Sequence, residues 1–456
     1  MSEFKNKKNI TPKRFKEIIK RGLGSAILIL KSISDVAQYK KVVLWATLND
    51  TVYDRLFEAY RGEYLFEIIS YFNDNHYFEV ELIKKYSAKR HKENEFKYLT
   101  NVLYCFAQNG STVAKETLYA KYNELCSFTL NNKRQLVLRE NQTIEQKMLE
   151  EICIWLTSLE DFNAFKKIVI DLKQYYLQNQ GKKYFEYIWF FENAIAKFGE
   201  KRVLNYLQGE GIFYEPYDYE KASPPQKPLL LQEVIAFCNK KLSWQERFSI
   251  RKFGRTATNE ELTAVMQCMV SEKNLDTKAN YLAVFKDVSF SLEILDIKNI
   301  IECSKMDNRR LKANAYYILE KNICKEVYEY AVELIGTNID LDYAIELLCK
   351  KFKKSDAELL SNAVKKLKIS YASVEWHGAF MAVNSLIREN KNAPSELLEY
   401  LYEQTLCSDC REDIVKNIVK RKLPCLERIL NECEYDCNYD LRTFAIKTQK
   451  KNLHLK

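Results

Sequence analysis

The chain of 456 residues is 47% hydrophobic and 29% charged, an ordinary balance for a folded protein, which excludes disorder over most of its length. Only 11 Gly and 7 Pro argue against a strand-and-turn architecture, and the abundance of Lys, Glu, Leu and Ile points to helices. The formal net charge of +9 is uneven, because residues 1–21 alone carry +6 and leave a nearly neutral body.

Residues 1–10 read as a basic mobile tail. Thr11-Pro12 then supplies an N-cap followed by proline at the first helical position, and Phe15, Ile18 and Ile19 form the inward stripe. Arg21-Gly22-Leu23-Gly24-Ser25 contains a G-x-G, but a phosphate-binding loop must follow a strand, and here a helix precedes it. The segment is therefore expected to be a helix–helix turn, with Arg21 beside the next helix N-terminus as a residual anion contact. Helices are predicted at about 62–73, 77–90, 93–108, 111–127, 143–158, 161–177 and 182–207. No segment reaches the roughly 18 uninterrupted apolar residues of a membrane span, and no apolar leader is evident, so a cytoplasmic protein without a membrane partner is expected.

Residues 209–228 hold four of the seven prolines and two glycines, a loop or hinge between a helical region at 11–208 and a second at 229–456. Its aromatic residues, among them Tyr214, Tyr217 and Tyr219, are candidates for contact with a protein partner.

Over 258–449 short amphipathic helices recur in pairs. Asp276, Asp307-Asn-Arg309, Asp340, Ser370 to Ser373, Asp409-Cys-Arg411 and Asp440-Leu-Arg442 open the second helix of each, roughly 30 to 39 residues apart. Leu341, Ala344, Ile345 and Leu348 make one helical stripe, and Trp376, Ala379, Phe380, Val383 and Ile387 make another. One pair cannot hide such a stripe alone, whereas stacked pairs bury a continuous core. The Asp-x-Arg openings, followed by small residues, resemble the HEAT/armadillo superfamily of α-solenoids. The resemblance implies an all-α solenoid of antiparallel helix pairs, although the spacing is shorter than that family's usual period.

Three basic clusters are candidates for anion or nucleic-acid contact: Arg251-Lys252-Phe-Gly-Arg255, Lys350-Lys351-Phe-Lys353-Lys354 and Lys416 to Lys422. Cys407-Ser-Asp-Cys410 and Cys433-Glu-Tyr-Asp-Cys437 have approximately the spacing of a four-thiolate zinc site, the one cofactor candidate, while the other cysteines read as small core residues. The four histidines fall in no zinc-hydrolase pattern, and no catalytic residue is assigned. The reading that follows is a non-catalytic scaffold whose concave face docks a protein partner, with Trp376, Arg309 and Arg442 added to the tyrosines as anchors. Its alternative is a nucleic-acid-binding HEAT-like protein, an enzyme acting on DNA included.

Overall fold

The first helix, Pro12–Lys20, starts as its sequence dictates: the Thr11 hydroxyl accepts from the Arg14 N–H at 3.3 Å, and Phe15, Ile18 and Ile19 are buried. The computed structural model describes residues 10–55, 57–88, 91–131, 144–174, 188–214, 229–288, 296–372 and 374–453. The basic residues of the tail, Tyr217 and Tyr219 lie outside them. Among the described residues there are 25 α-helices and no strand, and no helix is long and apolar enough to cross a membrane.

The chain forms two compact units. One consists of residues 1–219, 406–412 and 424–456, the other of residues 220–405 and 413–423. The segments 406–412 and 424–456, which the sequence grouped with the repeats, thus pack with the N-terminal helices.

In the first unit the helix Glu93–Gln108 is buried from Tyr98 through Ala107. Its apolar residues run all the way round, so it is covered on several sides, by Gly62–Ser70, Asn75–Tyr86, Thr112–Asn131 and Ile144–Leu159. The G-x-G is a helix–helix turn, and its glycines have a packing reason. Gly22 has φ +69°, and a Cβ there would meet the Cys437 sulfur at 2.2 Å, while one on Gly24 would meet the Glu432 carbonyl oxygen at 1.9 Å. The segment 432–437 lies directly on this turn, and the Cys437 N–H donates to the Gly22 carbonyl at 2.9 Å.

Beside it is a buried ionic network. Arg411 holds Asp436 through Nε at 2.7 Å and Nη2 at 3.0 Å, and also donates to the Arg21 carbonyl at 3.0 Å. Arg61 donates to Glu58 at 2.5 Å and to the Lys20 carbonyl at 2.6 Å, and the Ser408 hydroxyl donates to Glu58 at 2.8 Å. Burial alone would push the Glu58 carboxyl up, yet Arg61 and the hydrogen bonds it accepts hold it below the usual carboxylate range.

In the second unit one series of helices packs each on the next: Trp244–Thr256, Leu275–Val284, Arg309–Lys321, Leu341–Lys350 and Glu375–Glu389. A second set flanks it, with Asn259–Ser271 on Leu275–Val284, Ile297–Lys305 on Arg309–Lys321, and Lys325–Thr337 on Leu341–Lys350. The stripes read from the sequence are the buried ones, including Ala344, Ile345 and Leu348 and all five residues from Trp376 to Ile387. Buried asparagines tie members of the series to what precedes them. Asn314 Nδ2 donates to the Ala279 carbonyl at 2.9 Å, and Asn280 Nδ2 donates to the carbonyls of Cys238 and Lys240 at 2.8 and 3.0 Å.

Candidate functional site

Helix Trp244–Thr256 opens on a reciprocal cap in which the Ser243 hydroxyl accepts from the Glu246 N–H and the Glu246 carboxylate accepts from the Ser243 N–H. Burial of Ile250 and Phe253 fixes its orientation and leaves Arg247, Phe248 and Arg251 on a face shared with the next helices. Lys286, just past Leu275–Val284, and Arg310, in the first turn of Arg309–Lys321, complete a cleft of about 280 Å³ in which the small side chains of Ala279 and Ala283 leave room.

The cleft holds more positive than negative charge. Arg251 clamps Asp287 with two contacts of 2.9 Å, and Arg255 adds a third of 2.9 Å. The Arg251 hydrogen bond above all holds the Asp287 carboxyl down to about 2. Burial, and then the nearby Arg251, lowers the pKa of Lys286, while burial and the facing Arg247 lower that of Arg310. Arg310 Nη2 donates to the Asp276 carbonyl at 2.6 Å, but its Nε is buried without an acceptor. Among the described residues Arg247 forms no ion pair. Cations that face one another with too few carboxylates repel, and an entering anion relieves that repulsion.

A larger cavity of about 570 Å³ is lined by both signs, Asp342 and Glu375 with Lys366 and Lys368. Its acids are partly matched already, since Lys312 pairs with Asp340 at 2.9 Å and Arg309 with Glu375 at 3.1 Å. It therefore offers no comparable excess of charge.

The structure divides the residues singled out in the sequence. Arg251, Lys252 and Arg255 share the helix that forms the cleft, and Arg251 lines it. Arg21 is 7% exposed, so it is a buried side chain and not a surface anion contact. Lys350 pairs with Glu320 at 2.9 Å, and Lys353 lies 3.8 Å from the centre of the Tyr328 ring, while Lys351 and Lys354 are exposed. In the third cluster Lys420 donates to the Arg388 carbonyl at 3.4 Å and Arg421 to the Asn390 carbonyl at 3.0 Å, so these cations satisfy the end of helix Glu375–Glu389.

Of the aromatic anchors, Trp376 and Tyr214 lie among the described residues. Trp376 is 1% exposed, with its indole N–H given to the Ser370 carbonyl at 3.1 Å, which makes it a core residue. Tyr214 is partly buried and packs on Phe191, with ring centres 5.1 Å apart. Arg442 pairs with Glu67 at 2.9 Å, whereas Arg309 remains 87% exposed in its side chain.

Among the four thiols proposed for zinc, the sulfurs of Cys407 and Cys410 lie within 4.8 Å of each other, and those of Cys433 and Cys437 do not join them at that distance. Cys437 instead accepts a contact of 3.8 Å from Arg411. Of the proposed quartet, the structure thus brings one pair of sulfurs within 4.8 Å.

Compared with the known protein families and with curated proteins, the chain matches none. Arg247, Lys286 and Arg310 escaped the sequence reading because they come from three separate elements. The available signal was Arg310 itself: the reading chose its neighbour Arg309, and adjacent helical residues point about 100° apart, one outward and one into the cleft.

Proposed function

We propose that the second unit is a solenoid of stacked helix pairs that binds a nucleic-acid backbone in the cleft of Arg247, Arg251, Lys286 and Arg310. The single observation carrying this reading is the excess of positive charge in that cleft: Asp287 pairs with Arg251 and Asp276 lies 3.7 Å from Arg310, but among the described residues Arg247 and Lys286 form no ion pair. The successive packing of the series from Trp244–Thr256 to Glu375–Glu389 supports the solenoid. Of the three cations that Asp287 does not clamp, Arg247 and Arg310 are arginines, whose forked donors match phosphate oxygens in pairs, and this favours phosphate over isolated carboxylates. An acidic protein is the competing ligand.

The test is the salt dependence of binding. Wild-type protein should bind labelled nucleic acid with an affinity that falls steeply as salt rises. The double substitution R247Q/R310Q should weaken binding and reduce the logarithmic salt slope by about 2, one for each phosphate left unneutralised. An unchanged slope, or no binding by the wild type, overturns the reading. Tighter binding of polyglutamate than of nucleic acid would move the assignment to an acidic protein.

A further inference from the structure

We infer that the cleft selects single-stranded over duplex nucleic acid, with one base stacked on Phe248 and the flanking phosphates on Arg247 and Arg310; this rests on the nucleic-acid reading above. Phe248 is 44% exposed, although it stands in a cleft otherwise lined by charged, amide and alanine side chains. Arg251 follows Phe248 by about one turn on the same face, and Arg247, about 100° round the helix, lines the same opening. A ligand entering among the arginines therefore meets an aromatic ring at the same place.

At about 280 Å³ the cleft lies at the lower end of ligand-pocket volumes. Cations alone would accept duplex and single strand alike, since both carry phosphates. The aromatic ring breaks that equivalence. A paired base keeps its faces inside the helical stack, whereas an unpaired base offers one to the ring while its phosphates stay within reach of the arginines.

The experiment is fluorescence anisotropy on the full chain with a labelled oligothymidylate and a labelled hairpin duplex of equal charge. The single strand should bind at least about tenfold more tightly. F248L should weaken single-strand binding by about 5- to 100-fold, the usual effect of removing one base–aromatic stack, and leave duplex binding unchanged. F248Y keeps the ring and should keep the preference, which guards against a fold defect in F248L. If both nucleic acids bind equally and F248L changes neither, the strand preference is overturned while the nucleic-acid reading stands. If neither nucleic acid binds wild-type protein, the underlying reading fails with it.

Discussion

Asn280, Asn314 and Glu346 are each the sixth residue of their helices, Leu275–Val284, Arg309–Lys321 and Leu341–Lys350. The two amides donate to carbonyls of earlier segments, which an ionised carboxylate cannot do. Glu346 lies against the next helix instead, where a Cβ on Gly378 would meet its Oε1 at 2.1 Å. Burial first, then Glu320 and Asp342, push its pKa up to about 7, with Lys350 opposing. A carboxyl whose folded pKa is raised stabilises the fold when protonated. That contribution is complete below the unfolded value near 4.5 and is lost as pH rises through about 7. Chemical denaturation should therefore show the wild type gaining stability relative to E346Q on going from pH 8 to pH 5, by at most ~3 kcal/mol. A difference between the two proteins that is independent of pH would refute the assignment.

At the level of the helix, close approach is set by glycine. A Cβ on Gly254 would meet the Val284 carbonyl oxygen at 1.9 Å, backbone that cannot rotate away, so Trp244–Thr256 and Leu275–Val284 are held close by the absence of a side chain. Gly336, inside Lys325–Thr337, has nothing within 4 Å of its Cβ position. The same substitution should act oppositely at the two sites. Gly254→Ala should destabilise by about 1–3 kcal/mol through overpacking, and Gly336→Ala should be neutral or stabilise by up to about 1 kcal/mol through helix propensity. Thermal melts of the two variants side by side decide it; equal melting temperatures would mean that the approach at Gly254 is not tight.

For the chain as a whole, the decisive feature is that residues from both ends of the sequence share one unit. Arg411 and Asp436 are fully buried, and Arg411 reaches the Arg21 carbonyl. Removing one partner of a buried pair leaves an uncompensated charge at a cost of about 3–5 kcal/mol, whereas replacing both with apolar residues costs far less. R411M should accordingly lower the melting temperature more than R411M/D436L does. A double variant that is the less stable of the two would show that Asp436 contributes more through its other bonds, such as the one it accepts from the Asn438 N–H at 2.9 Å, than an unpaired carboxylate costs.

The helices followed from the amino-acid sequence, because a helix is a local object made by i to i+4 bonds, a cap and an apolar stripe. Thr11-Pro12, the stripe of Ala344, Ile345 and Leu348, and the turn at Gly22 were legible for that reason. Even the caps were nearly so: Asn274, Asn308 and Asn438 do the capping, each within two residues of Asp276, Asp307 and Asp440 respectively. Which side chains meet was settled by packing alone. Nothing local shows that Arg251 is clamped by Asp287, that Trp376 is core, that Arg310 and not Arg309 enters the cleft, or that segment 432–437 lies on Gly22 and Gly24. Each of those outcomes depends on the rotation of one helix against another that is distant in sequence, and a turn of about 100° between adjacent residues is enough to exchange a solvated charge for a binding one.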